Sequence, residues 1–263
     1  MTEINLKGKK ALVTGGAQGI GAQICRELAY CGADVFIDDR SCKEKAEKLV
    51  EELKSEYGVK AWTAKADISK SDEVKELFAK IDSQMGGIDI LINNAGVESC
   101  FHILDLEETE WDDIINTNLK GPFLCSKYAG RRMEKNGGGV IINISSIHDS
   151  VPRKGLAHYC SSKGGLKVLS KCLALELAES NIRVITVSPG AIETEMNREE
   201  IAKFGVDKFN NWIPSGRIGN VKNVASTVSF LCSDLASYIT GTEIYVDGAY
   251  LLSTIQYDPR PKR

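Results

Sequence analysis

The sequence predicts an α/β chain built on one open, parallel, doubly wound sheet with helices on both faces. Two observations predict it. Short apolar runs alternate with amphipathic helical stretches along all 263 residues, with no repeat or low-complexity linker between them. The segments best equipped to hold a ligand (Gly15–Gly21, Asp39, Asn93–Gly96, Ser146 and Pro189–Gly190) each follow an apolar run. In such a sheet the ligand crevice lies beyond the carboxyl ends of the strands, so this convergence is the one the fold requires. Residues 1–263 therefore read as a single dinucleotide-binding domain, a length that open α/β sheets commonly reach.

The first apolar run, Lys10–Thr14, leads into a glycine turn with Gly15, Gly19 and Gly21, then a helix to about Tyr30 that Gly32 stops. Strand, glycine turn and helix bring backbone N–H groups and a positive dipole end to a pyrophosphate. A second strand, Asp34–Asp38, ends in Asp38-Asp39-Arg40. Asp39 lies about twenty residues past the turn, where a carboxylate accepts the adenosine ribose hydroxyls and repels a 2′-phosphate. Gln18 supplies no positive charge to the turn, whereas Arg40 suits a 2′-phosphate. The expectation is NAD, with NADP possible.

A charged helix follows over 42–57, with Ala46, Leu49, Val50 and Leu53 at helical spacing. A strand near Lys60–Ala64, the pair Asp67-Ile68, a helix Asp72–Met85 and a strand Ile88–Ile92 come next. Asn93-Asn94-Ala95-Gly96 then suits close approach of backbone to ligand, although two asparagines also tie strands together. A long helical segment, Glu107–Glu134, holds Gly121-Pro122 and should break at Asn118–Lys120, freeing carbonyls beside Asn118 that suit a bound water. The run Val140–Ile144 is a buried strand ending at Ser146, and a helix continues to about Glu179. A strand Ile182–Val187 ends in Ser188-Pro189-Gly190, with Thr194 beyond it. Residues 195–215, with Phe204, Phe209, Trp212 and Ile213, read as a helical lid over a pocket, or as plain surface helices. A helix Val221–Ser233 and a strand Thr242–Val246 complete the pattern.

Tyr159 and Lys163 sit four apart, one turn apart on one helix face. An ammonium beside a phenol favours the phenolate, so this pair predicts a tyrosine of lowered pKa that exchanges a proton with a substrate oxygen. Ser146, facing that helix from a strand end, makes the third side of a carbonyl or alcohol clamp.

Composition excludes several classes. A net charge of −3 gives no footprint for nucleic acid or an anionic membrane, and the short basic tail Arg260, Lys262, Arg263 reads as a solvated end. No apolar run approaches the ~20 residues that span a bilayer, and residues 1–10 carry no apolar signal segment, so a cytoplasmic location is expected. The eight cysteines have no C-x-x-C pair and read as buried or half-buried small hydrophobes. With three scattered histidines, no metal site is expected.

Taken together, T-G-G-A-Q-G-I-G at 14–21, D-I at 67–68, N-N-A-G at 93–96, N-L at 118–119, Ser146, Y-C-S-S-K at 159–163, P-G at 189–190 and Thr194 resemble the short-chain dehydrogenase/reductase family over nearly the full length. The resemblance implies a Rossmann-type fold, a nicotinamide cofactor and a catalytic tetrad of Asn118, Ser146, Tyr159 and Lys163. In that scheme Ser146 holds the substrate oxygen, Tyr159 moves its proton, Lys163 binds the nicotinamide ribose and Asn118 fixes a relay water. Asp67 and Ile68 would meet the adenine, Asn94, Ala95 and Gly96 would approach the cofactor, Ile192 and Thr194 would hold the carboxamide, and Ile20 would pack beneath the nicotinamide. It also implies a homotetramer.

Within the family the chain is similar to bacterial glucose 1-dehydrogenases, through N-N-A-G-V-E at 93–98, S-S-I-H-D at 145–149, H-Y-C-S-S-K-G-G at 158–165 and P-G-A-I-E-T at 189–194. That likeness implies a small-molecule substrate of sugar type met by Glu98, Ser146, His148 and Tyr159. Hydroxysteroid or bile-acid dehydrogenases and 3-oxoacyl reductases share most of these motifs and stay open, as does a catalytically silent nicotinamide-binding sensor on the same fold.

Overall fold

The computed structural model describes residues 4–195 and 198–253, the side chains of Glu199, Glu200 and Phe204 excepted. Met196 and Asn197 of the expected lid, the Phe204 side chain and the basic tail lie outside the described residues.

Seven parallel strands form one sheet: β1 (Lys10–Thr14), β2 (Asp34–Asp38), β3 (Ala61–Ala64), β4 (Ile90–Asn93), β5 (Gly139–Ile144), β6 (Ile182–Pro189) and β7 (Glu243–Val246). Their spatial order is β3-β2-β1-β4-β5-β6-β7, with the chain reversing its direction of travel between β1 and β4. The strands are nearly continuous apolar runs because both faces are covered, and successive residues go to opposite layers. Val13, Ile37, Ile92, Ile142 and Val187 enter one layer with Ile24 and Leu28 of α1 (Gly19–Tyr30), Leu49 and Leu53 of α2 (Lys43–Tyr57), and Val224 and Val228 of a C-terminal helix, Val221–Cys232. Leu12, Phe36, Leu91, Ile141 and Val184 enter the other, against α3 (Ser71–Gln84), a helix Gly121–Lys135 and a helix Ala157–Leu177.

The segment expected to break at Asn118–Lys120 does so. Helix α4 (Glu108–Ile115) passes through a π-helical turn, Asn116–Lys120, into α5 (Gly121–Lys135), with the Gly121 N–H reaching back to the Asn116 carbonyl. Pro122 has no N–H to offer the Asn118 carbonyl, so the ladder cannot continue regularly there. Helix α6 (Ala157–Leu177) carries Tyr159 and Lys163. The segment read as a lid or as surface helices forms two short helices, α7 (Arg198–Phe204) and α8 (Val206–Trp212), before α9 (Val221–Cys232).

Several boundaries move. β4 begins at Ile90 rather than Ile88, because pairing with β1 starts at Ala11↔Ile90 and the Asp89 carboxylate accepts the Lys10 N–H at 2.8 Å. β6 runs two residues past Val187 because β7 pairs with it as far as Pro189↔Val246. All eight cysteines are free thiols; Cys25, Cys125 and Cys232 are buried as expected, but Cys100 and Cys172 are exposed. Among the described residues no helix is long and apolar enough to cross a membrane.

One polar thread crosses this apolar interior. Asn93 on β4 donates to the Ser126 hydroxyl of α5 at 3.1 Å and to Asn143 of β5 at 2.7 Å. Asn143 donates on to Ser170 of α6 at 2.8 Å, which closes on the Leu166 carbonyl. Of the two adjacent asparagines, Asn93 thus ties strands together, while Asn94 turns to the opposite side and the ligand crevice.

Candidate active site

A cleft of about 930 Å³ opens along the carboxyl ends of the strands. Its wall includes every candidate cofactor and substrate residue from Gly15 to Thr194 named above. Asn118 alone among the predicted site residues stands behind that wall.

The glycine turn closes one end. Gly15 has φ +60°, and a Cβ there would fall 2.8 Å from the Ala95 Cα. A Cβ on Gly21 would enter the Gly15 carbonyl and the Asn94 amide. Asn94 Nδ2 donates to the Thr14 and Gly15 carbonyls at 3.0 and 2.9 Å, stitching the turn to the end of β4. Helix α1 begins without a side-chain cap and with no acidic residue in its first turn. Its N–H groups and dipole end are left for an anion, so the residues fit a pyrophosphate.

Beside the turn the two aspartates separate in role. Burial, reinforced by the charge of Asp39, pushes the Asp38 carboxyl well above the usual carboxylate range. Asp39 accepts the N–H groups of Ala17 at 3.3 Å, Ser41 at 3.0 Å and Cys42 at 2.9 Å, which fixes the loop after β2. Arg40 pairs with Asp67 at 3.5 Å. Lys45, which sequence reasoning missed, also stands here: its Nζ donates to Gln18 Oε1 at 2.9 Å and meets Glu195 at 3.1 Å. A positive charge therefore does reach the glycine turn, from one turn into α2, correcting the expectation drawn from Gln18 alone.

At the other end, three successive residues of one strand end meet three different partners. The Ile144 carbonyl accepts Lys163 Nζ at 2.9 Å, Ser145 Oγ donates to Asp149 at 2.8 Å, and Ser146 hydrogen-bonds Tyr159. Lys163 Nζ lies 5.6 Å from the centroid of the Tyr159 ring. The expected lowering of the tyrosine pKa by this ammonium is reversed by burial. Burial is the largest influence on both groups and favours their neutral forms. It raises the phenol, with Glu98 adding to the rise against the Ser146 hydrogen bond. It lowers Lys163 to about 8, against the charges of Asp149 and Glu98.

Asn118 is fully buried, and its amide is already engaged. Oδ1 accepts the Val97 N–H at 2.9 Å, while Nδ2 donates to the Val97 carbonyl at 2.9 Å and to Ser162 Oγ at 3.2 Å. The side chain thus clamps the strand end that carries Gly96, and its own main-chain carbonyl is the one Pro122 leaves unserved.

The remaining wall is polar. His148 Nδ1 lies 2.9 Å from the Val151 carbonyl. A carbonyl only accepts, so that nitrogen holds a proton. Its ring stands 6.4 Å from that of Tyr159. Glu98 is exposed on the cleft wall, and Val151 and Arg153, which sequence reasoning missed, join it there; their place between Ser146 and Tyr159 was the available signal. From α8, Phe209 and Trp212 reach the cleft with their rings 5.3 Å apart.

A family model described as enoyl-(acyl carrier protein) reductase matches residues 15–250. The 3-oxoacyl-[acyl-carrier-protein] reductase FabG of Staphylococcus epidermidis is 41% identical over 240 residues, covering 91% of this chain and 98% of that protein. FabG of Aquifex aeolicus is 41% identical over 249 residues, covering 94% and 98%. Among solved structures, a gluconate 5-dehydrogenase from Burkholderia cenocepacia J2315 in complex with NADP and tartrate has a TM-score of 0.90 at 33% identity, covering 96% of this chain and 98% of that one. Acetoin dehydrogenase from Salmonella typhimurium has a TM-score of 0.87 at 35% identity, covering 95% and 98%. These relatives point to the wider group, with 3-oxoacyl reductases foremost, rather than to glucose 1-dehydrogenases in particular.

Proposed function

The chain belongs to the short-chain dehydrogenase/reductase family, an NAD(P)-dependent oxidoreductase, and from that premise we propose that it moves hydride at a secondary alcohol or carbonyl whose proton travels through Tyr159. The observation that carries this reading is the Ser146–Tyr159 hydrogen bond beside Lys163, in the same cleft that the glycine turn closes. The nicotinamide, when bound, supplies or accepts the hydride. Ser146 orients the substrate oxygen and the Tyr159 phenol, protonated in the resting site, gives its proton to the oxygen of a reduced carbonyl. Lys163 carries the positive charge beside that phenol, and Asn118 holds the Val97 backbone with its carbonyl open to a water. An intact set of proton-moving groups favours an enzyme over a silent sensor.

For the cofactor we propose a modest preference for NAD. Asp39 disfavours a 2′-phosphate, while Arg40 and Lys45 place two cations near the same loop. The kcat/KM ratio should favour NAD by less than tenfold, Asp39→Ala should move it towards NADP, and Arg40→Ala should weaken turnover with NADP. Wild type favouring NADP by tenfold, about 1.4 kcal/mol, overturns the preference.

Two substrate classes have support. The 41% identity to FabG proteins favours a 3-oxoacyl thioester. Glu98 and His148 favour a polyhydroxylated substrate, because both stand on the cleft wall with Ser146 and Tyr159, where substrate hydroxyls would meet them. Reduction of acetoacetyl-CoA and oxidation of glucose, gluconate and a bile acid, each followed by nicotinamide absorbance on wild type and Glu98→Ala, separate them. Sugar turnover that collapses in Glu98→Ala supports the hydroxylated reading; thioester reduction indifferent to Glu98 supports the first. Efficient bile-acid turnover with neither of the others removes both.

A further inference from the structure

Asp149 is a buried carboxylate that the cleft does not use. It does not line the cleft, and its side chain has no solvent exposure. Four donors from three parts of the fold converge on it. Ser145 donates to Oδ2 at 2.8 Å, Ser188 of β6 to Oδ2 at 2.9 Å, Ser150 to Oδ1 at 2.8 Å, and Lys167 of α6 approaches Oδ1 at 3.5 Å. Behind this stands Glu243 of β7, whose Oε1 lies 2.7 Å from the same Ser188 hydroxyl and which pairs with Lys167 at 2.5 Å. Tyr245 completes the cluster through Lys167 at 3.0 Å and Ser150 at 2.9 Å.

Resting on the proton-transfer reading above, we propose that Asp149 is a positioning residue: anchored by Ser188, Glu243 and Lys167, it fixes the 144–149 turn so that Ile144 holds Lys163 while Ser146 meets Tyr159.

The geometry makes this more than general packing. Asp149 closes the short 3₁₀ turn that opens at Ser146, where the Ser146 hydroxyl accepts the His148 N–H at 3.2 Å. Ser145, its direct donor, lies between the residue that holds Lys163 and the residue that meets Tyr159. Lys167 is one helical turn beyond Lys163 on the same face, so α6 is gripped at Lys163 by the end of β5 and at Lys167 by the 149–150 turn and β7. The cluster also places a negative charge behind Lys163. Burial works against the Asp149 carboxylate, yet its contact with Glu243 and the hydroxyls of Ser145, Ser150 and Ser188 hold it below the usual range. Of the charges supporting the Lys163 ammonium against burial, that of Asp149 comes first and that of Glu98 second.

Asp149→Asn keeps the shape and removes the charge. The test measures kcat and cofactor KM with acetoacetyl-CoA or gluconate, whichever wild type turns over. It also follows the Lys163 side-chain nitrogen by NMR in the cofactor-free protein, assigned by its loss in Lys163→Met. The expected result is a kcat at least roughly tenfold lower, a cofactor KM within about twofold, and a Lys163 titration moved about one pH unit lower. Turnover within about twofold of wild type overturns the proposal. So does lost turnover with an unmoved Lys163 titration, which reports plain structural damage. Should Asp149→Asn fail to fold, Glu243→Gln and Ser188→Ala test the same anchor, and both must show the kcat loss without a matching KM change. Tyr159→Phe run in parallel keeps the two readings apart. If it retains turnover, the proton-transfer reading fails by itself, and the Lys163 titration still decides the Asp149 contact.

Discussion

Tyr159→Phe should leave a folded, cofactor-binding protein that has lost roughly 10²–10⁴-fold in kcat. The substitution removes one oxygen and keeps the ring that packs with Ile114 and Leu156. What disappears is the proton donor that Ser146 holds in line, so the loss belongs in kcat rather than in cofactor affinity. Cofactor binding measured by quenching of tryptophan fluorescence should stay within about threefold, against the two to four decades lost in turnover. Near-normal turnover on the true substrate would show that another group moves the proton.

Lys163→Met should abolish turnover as thoroughly, and it should also change how stability depends on pH. Burial brings the Lys163 ammonium from 10.5 down to about 8, so the folded chain resists carrying its charge. Between those values the unfolded chain binds more protons than the folded one, and stability rises with pH through that window. Below pH 8 the full penalty of a buried charge is present, on the order of 3 kcal/mol. The variant has no such group. Its stability relative to wild type should therefore be most favourable at pH 7 and should decline steadily from about pH 8 to pH 10.5. Urea unfolding of the two cofactor-free proteins across that range reads the difference directly, and a difference independent of pH overturns the assignment. Loss of the 2.9 Å bond to the Ile144 carbonyl offsets part of the gain at every pH alike, so it leaves the slope untouched.

The fold was legible because burial on both faces writes itself into composition. Val13, Ile37, Ile92 and Ile142 sit beside Leu12, Phe36, Leu91 and Ile141, and only a two-sided sheet needs both sets to be apolar. The break at Asn116–Lys120 was legible for a covalent reason, the missing N–H of Pro122. The cleft followed from where glycines and polar residues end the strands. What could not be read was any contact set by strand order. Asp149 meets Ser188 and Glu243 only because β7 pairs beside β6, and Lys45 reaches Glu195 across 150 residues of chain. The direction of the Tyr159 shift is not legible for a related reason: four-residue spacing reports proximity to Lys163 but not the burial that governs both groups.

The polar thread through the interior bears on how the chain finds this arrangement. Pairing β4 with β5 joins segments some fifty residues apart, the kind of long-range parallel contact that forms slowly and late. Apolar strands of similar residues offer little to tell one alignment from the next. Asn93 and Asn143 do: moved by one residue, each amide would face an isoleucine layer with its donors unanswered, at a cost of about 1–3 kcal/mol apiece. Ser126 and Ser170 extend the same check to the helices on either side, so a misaligned sheet is rejected while it is still assembling.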